Sequence, residues 1–186
     1  MSIKYVTLSD LDEMGDNAKR ILNGLKTGIR VRYTDPEFPT LQINDTGDWI
    51  DLKVAEDYEL KAGESALLNL GVAMKLPKEY EAWLAPRSST FNKYGLMQTN
   101  SIGIIDNSYS GDNDIWKMSV YATRDTKISK GDRLCQFRLV ERMSSIFSGK
   151  AIPTSQTAFS GANHLYIIEA KHLDDTDRGG FGSTGK

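Results

Sequence analysis

The chain has 186 residues, of which 39% are hydrophobic and 26% charged, a composition and length that suit one soluble globular domain with room for a small appendage. Apolar runs never exceed four residues, as in Leu165–Ile168, so no stretch approaches the ~20 needed to span a membrane. The net charge of −2 offers no basic field for wrapping nucleic acid. A single cysteine, Cys135, excludes an internal disulfide framework and fits a reducing cytoplasm, and with only two histidines a Cys/His zinc site is out of reach. The first residues lack the apolar stretch of a secretory signal.

In chain order, Ser9 to about Lys26 read as a helix. Ser9 is placed to cap it, acids fill its first turn, and Leu11, Met14, Ala18, Leu22 and Leu25 form one apolar stripe. Residues 1–28 are therefore expected as an N-terminal helical extension. The pattern then turns to short strands: Ile29–Tyr33, Trp49–Val54, Ser65–Leu70, Tyr80–Leu84, Ile102–Ile105, Trp116–Ala122 and Arg133–Val140. Turn formers such as Lys61-Ala-Gly63, Asn92–Gly95 and Lys130-Gly131 separate them. Many short strands suggest an all-β sandwich or barrel over 29–175, and the absence of alternating helices argues against a Rossmann or P-loop fold. Residues 141–163 are polar and turn-rich, and read as a surface insertion before the strand-like Leu165–Ile168. Residues 176–186 are glycine-rich with no core pattern, and read as a flexible arm.

Four stretches could carry chemistry. The tail Gly180-Phe-Gly-Ser-Thr-Gly185-Lys186 offers backbone N–H groups and hydroxyls to an anion. It imitates a Walker A loop up to its lysine but supplies neither the Ser/Thr nor the helix that such a loop requires. Ala85-Pro-Arg-Ser-Ser-Thr90 places a planar guanidinium beside three hydroxyls, an anion corner or simply a surface turn. Asn100 through Gly111 delivers Asp106 at the end of an apolar run, suited to a general base or to starting a turn. In that stretch Asn100 can read a base edge and Tyr109 offers a flat face. Lys130 through Phe137 reads as a turn into a strand and says little alone.

Taken together and in order, these stretches resemble the five motifs of the trimeric dUTPase family, bacterial and bacteriophage members above all. The motifs are Gly47-Asp-Trp-Ile-Asp51-Leu52, Pro86-Arg87-Ser88-Ser89, Asn100–Gly111, Gly131–Gln136 and Arg178–Gly185. The resemblance implies a jelly-roll-like β-barrel assembled as a homotrimer, with each active site shared between chains and the arm closing a neighbour's site. It implies hydrolysis of dUTP to dUMP and pyrophosphate, with Asp106 activating the water. Asn100 and the backbone of Gly103, Ile104 and Ile105 would read uracil, and Tyr109 would pack under the deoxyribose. Arg87, Ser88, Ser89 and Gln136 would contact phosphates, with Lys117 at a basic position just beyond the third motif. Arg178, Gly182, Ser183 and Thr184 would cover the γ-phosphate, and Phe181 would stack on the base. Asp51 would support the water and metal environment, with Mg2+ held by substrate phosphates and water.

The chain departs from the family pattern in two places. It has Tyr109-Ser-Gly-Asp-Asn-Asp114 where members carry Tyr-Arg-Gly-Glu, and its fifth motif is two residues shorter between arginine and phenylalanine. The alternatives are a dCTP deaminase of the same fold, or a regulatory role in which the 141–163 insertion binds a protein.

Overall fold

Side-chain alternation sets the strands that build the molecule, a computed structural model describing residues 2–18, 28–43, 48–143 and 164–180. Strand β1 is Ser2–Val6, helix α1 is Leu8–Glu13, and strand β2 is Gly28–Tyr33. In β2, Ile29, Val31 and Tyr33 point inward while Arg30 and Arg32 lie on the other face, the period of a strand with one side buried. Strands β3 (Leu41–Gln42), β4 (Ile50–Lys53), β5 (Tyr58–Leu60), β6 (Ser65–Asn69), β7 (Val72–Lys75) and β8 (Tyr80–Pro86) follow. Helix α2 (Thr90–Tyr94) precedes β9 (Leu96–Gln98), β10 (Gly103–Ile105), β11 (Lys117–Ala122), β12 (Thr126–Ile128), β13 (Arg133–Glu141) and β14 (His164–Glu169).

The fold is mostly β with few, short helices. Among the described residues the ladders form four sheets, ordered β1-β14-β2-β7, β10-β8-β13-β4-β3, β6-β11-β9 and β12-β5, and no ladder closes on itself. The five-stranded sheet is antiparallel throughout. In the four-stranded sheet β14 runs parallel to both β1 and β2. Their inward faces meet in one core, where Trp116 packs edge-on against Phe137 with ring centroids 5.2 Å apart. Such an aromatic pair adds about 0.5–1.5 kcal/mol beyond its buried area.

The N-terminus differs from the sequence expectation. Residues 2–6 form a strand rather than part of a helical extension, and they pair with β14 in register from Ser2↔His164 to Val6↔Ile168. Thr7, not Ser9, caps α1, through a capping box with Asp10. The helix stops at Met14, whose backbone is extended, and residues 16–18 are helical again. Gly15 separates the two helical stretches, and residues 19–27, with Leu22 and Leu25 of the expected stripe, lie outside the described residues. Tyr5 Oη lies 2.6 Å from Tyr33 Oη and donates to Glu169 Oε1 at 2.6 Å, while Glu169 Oε2 accepts from the N–H of Leu8. One carboxylate thus ties β1, the start of α1 and β14 together.

Strand β13 continues through Glu141, and the N–H of Arg142 donates to Glu79 O at 2.9 Å, so the first residues of the expected insertion belong to the sheet. Residues 144–163 lie outside the described residues. No helix among the described residues is long and apolar enough to cross a membrane.

Candidate active site

Strand β8 is the spine of the site. Its middle faces β10, with Leu84 opposite Gly103 and Ala82 opposite Ile105. Gly103 suits that approach, because a Cβ there would stand 3.2 Å from the Leu84 side chain and press on it. Beyond β10 the chain turns at Asp106 and opens a cavity of about 250 Å³. Eight residues singled out from the sequence line it: Asn100, Gly103, Ile104, Ile105, Asp106, Tyr109, Lys117 and Arg178. Gly179 and Gly180 of the fifth motif join them, and Leu84, Gln98, Trp116 and Ser119, which the sequence did not single out as site residues, complete the lining.

Asp106 is held by its own turn. Its Oδ1 accepts from both the N–H and the Oγ of Ser108, each at 2.9 Å. Both bonds fall on one oxygen and leave Oδ2 for a water. Asn107 pins the turn from behind, donating Nδ2 to Leu76 O and Pro77 O. The backbone N–H of Ser108 is the largest influence holding the Asp106 carboxyl below its usual value, with the Ser108 hydroxyl and the charges of Arg142 and Arg178 adding to it against partial burial. The group is therefore ionised at neutral pH and ready to accept a proton. Tyr109 donates its hydroxyl to Ile115 O at 3.0 Å, which fixes its ring as a wall of the cavity.

Two buried polar atoms in that wall have no partner. Gln98 Nε2 donates to Leu84 O and to Asn100 Oδ1, both at 3.1 Å. Because Leu84 O can only accept, the amide nitrogen must face it, and this leaves Gln98 Oε1 unpaired. Trp116 Nε1 is likewise unpaired. Both atoms are shielded from solvent behind the lining of the cavity.

The expected phosphate group forms a second cluster. Asp51 is 1% exposed on β4, and its two oxygens meet Arg87 Nε at 3.0 Å and Arg133 Nη1 at 3.1 Å. Within the single chain both Asp51 oxygens are bonded to guanidiniums, and Asp51 does not line the Asp106 cavity. Gln136 stands between Asp51 of β4 and Ala85 of β8 in the ladder, while Ser88 and Ser89 are exposed where β8 passes into α2. The corner is fixed by bonds to Leu134 O from the N–H of Arg87 at 2.9 Å and the hydroxyl of Thr90 at 2.5 Å. Arg87 and Ser88 border an open groove with Phe91 and Met97. Arg87 follows the end of β8, three residues beyond Leu84 of the cavity lining, and Gln98 borders both the cavity and the Arg87 groove.

Residues 172–180 run along the chain's own loop 110–114. Leu173 donates its N–H to Asp112 Oδ1, Asn113 binds Asp177 twice, and Ser110 donates to Asp175. Lys75 pairs with Asp175 at 2.8 Å. Ser110 and Lys75 thus serve this loop, where the family pattern has an arginine in place of Ser110. Gly180 rests on Tyr109, since a Cβ there would come within 3.1 Å of the ring. Phe181, Gly182, Ser183 and Thr184 lie outside the described residues, as does Gly47 of the first motif.

Electrostatically the cavity favours an anion. Asp106 is a single carboxylate with Lys117 and Arg178 in the same lining and the charge of Arg142 reaching it. Among the described residues no three His, Cys, Asp or Glu side chains converge on a metal position.

The dUTPase family model matches residues 49–164. The SPbeta prophage-derived deoxyuridine 5'-triphosphate nucleotidohydrolase YosS of Bacillus subtilis (strain 168) is 46% identical over 157 residues, covering 84% of this chain and 97% of its own. The deoxyuridine 5'-triphosphate nucleotidohydrolase of Thermobifida fusca is 31% identical, covering 84% of this chain and 78% of its own. Among solved structures, the dUTPase of Streptococcus mutans superposes with a TM-score of 0.52 at 27% identity, over 59% of this chain and 89% of that one. A mutant dUTPase from phage phi11 of S. aureus, described with a structural Mg(II) ion, shares the fold with a TM-score of 0.55 at 21% identity, over 61% of this chain and 90% of that one. The match over more than half of the chain and the relatives at 46% and 31% identity settle the assignment: the chain belongs to the dUTPase family.

Proposed function

We propose that the protein hydrolyses dUTP to dUMP and pyrophosphate in a site built from the Asp106 cavity of one copy and the Arg87 corner of another. The observation that carries the chemistry is the ionised Asp106, with one oxygen committed to Ser108 and the other available to water. Asp106 Oδ2 takes a proton from that water as its oxygen attacks the α-phosphorus. The bond from the α-phosphorus to the oxygen bridging it to the β-phosphorus breaks, and pyrophosphate leaves. The uracil lies against the backbone of Gly103, Ile104 and Ile105, where Asn100 reads its edge. Tyr109 packs under the deoxyribose, at a distance that a 2′-hydroxyl would invade. A site that pairs one base edge leaves its own polar groups unmade with the wrong base, and this discriminates against cytosine.

Arg87, Ser88, Ser89 and Gln136 bind phosphates, with Lys117 and Arg178 adding charge from the cavity side. Phosphoryl transfer relies on positioning and on neutralising the charge of the triphosphate. Mg2+ bound to the substrate phosphates supplies part of that neutralisation.

The homotrimer with shared sites is supported by the five motifs, whose resemblance to the trimeric family implies sites shared between copies. It is also supported by an uncovered apolar surface of Leu67, Met97, Tyr121 and Phe91, each 41–52% exposed, beside the Arg87 groove. The buried Cys135 thiol suits a cytoplasmic setting.

The test is pyrophosphate release from dUTP, dTTP, dCTP and UTP with magnesium, with ammonia release from dCTP measured alongside. The reading requires dUTP to dominate by orders of magnitude. Comparable rates on the other nucleotides, or ammonia from dCTP, would overturn it.

A further inference from the structure

The loop after Tyr109 ends in a carboxylate that the mechanism above does not use. Asp114 is 1% exposed, and its partners are three backbone N–H groups. Its Oδ2 accepts from Gly111 and from Arg178, both at 2.9 Å, and its Oδ1 accepts from Gly179 at 2.8 Å. A buried carboxylate demands donors, and charge-assisted bonds from N–H groups are among the stronger ones available. Here two consecutive donors, on Arg178 and Gly179, meet the two oxygens of one rigid group. That bidentate grip fixes both the position and the rotation of the peptide between them.

What this peptide carries explains the grip. Arg178 lines the cavity with Asp106, and its charge is felt there. The next residue, Gly180, lies against the Tyr109 ring. Asp114 itself does not line the cavity. An arginine on an irregular, glycine-rich segment would otherwise sample many positions, and ordering it only when substrate arrives would weaken binding.

We propose that Asp114 is a positioning residue, whose buried carboxylate fixes the Arg178–Gly179 backbone and so sets the Arg178 guanidinium at the nucleotide cavity of the same chain. The inference rests on the reading of that cavity as the nucleotide site. The competing possibility is that Asp114 merely closes its own turn through the N–H of Gly111.

Two measurements on the full chain separate these. The first needs no activity: amide hydrogen exchange at Arg178 and Gly179, compared between the wild type and Asp114→Asn. The substitution keeps the size but turns an amide nitrogen toward N–H donors. Exchange at those two amides accelerates by about tenfold or more, the scale of a lost contact within a coupled set. Unchanged protection at both would overturn the proposal.

The second is a double-mutant cycle on kcat/KM for dUTP, with Arg178→Ala. Each single change lowers kcat/KM by about tenfold, and the pair lowers it little further, because an unanchored arginine has little left to lose. Full additivity would assign Asp114 a merely structural role and refute the inference. If the wild type left dUTP intact, the proposed function would fall while the exchange experiment still judged the anchor. Should Asp114→Asn not fold, Asp114→Ser, with one oxygen acceptor in less volume, carries the same two comparisons.

Discussion

Replacing Asp51 by asparagine removes the charge that holds Arg87 and Arg133 together. Each guanidinium bond to the carboxylate, at 3.0 and 3.1 Å, belongs to the class worth about 1.5–3 kcal/mol when made with a charged group. Breaking a fully buried pair typically costs about 3–5 kcal/mol. Here the arginine side chains are 28% and 37% exposed, so water takes over part of their solvation, and the buried asparagine needs less desolvation than a carboxylate. The expected loss is therefore about 2 kcal/mol. For a chain of this size that lowers Tm by about 4–8 °C, since each kcal/mol shifts the midpoint by about 2–4 °C.

A calorimetric or fluorescence melt of Asp51→Asn beside the wild type makes the measurement. The same variant frees Arg87 from its fixed geometry and raises KM for dUTP, because the anion corner is no longer preorganised. A melting point within 2 °C of wild type, the smallest shift expected from 1 kcal/mol, would refute the claim that these guanidiniums share one buried carboxylate.

Asp106→Asn lowers turnover by about a hundredfold to ten-thousandfold while nucleotide binding persists, as single-turnover kinetics and calorimetric titration can separate; wild-type turnover would remove Asp106 as the base. The lowered Asp106 pKa means that its basic form is present above that value and is lost as pH falls through it. A carboxyl-carbon NMR titration therefore places Asp106 below the ordinary aspartate value of about 3.9 and shows it rising in Ser108→Ala; the opposite displacement would contradict the assigned bonds. Burial pushes the Cys135 thiol far up its range, so a thiol reagent labels it only as the protein unfolds, and rapid labelling of the native protein would contradict the packing of β13.

Strands whose residues alternate, or whose apolar positions are bounded by turn formers, are plain in the sequence: β2, β4, β6, β8, β10, β11, β13 and β14 fall within two residues of their expected bounds. The strands that escape notice are short or lack alternation. β3 has two residues, β5 and β12 three, and in β7 Val72, Ala73 and Met74 are all buried, which hides the period. β1 was taken into a helical extension because its partner, β14, lies more than 150 residues away, and only that pairing makes it a strand.

The site shows the same division. Asp106, Asn100, Tyr109 and Arg87 are legible because they sit in short, ordered stretches with a recognisable composition. Gln98, Arg133 and Asp114 are not, because each acts through a partner distant in sequence: Leu84 for Gln98, Asp51 for Arg133 and Arg178 for Asp114. The Asp-Asn-Asp run before Ile115 looked like a departure from a motif, and its purpose is visible only once residues 172–180 are laid beside it.

The most direct test mixes two defective chains. Asp106→Asn lacks the base and Arg87→Ala lacks the phosphate corner, so oligomers of either alone are inactive or nearly so. Co-expressed in equal amounts, they assemble sites in which a chain with an intact Asp106 meets a neighbour with an intact Arg87, in about one site in four for random symmetric assembly. The account predicts recovery of about a quarter of wild-type turnover in the mixture. No recovery above the two separate variants, or full activity of the wild type as a monomer, would contradict it.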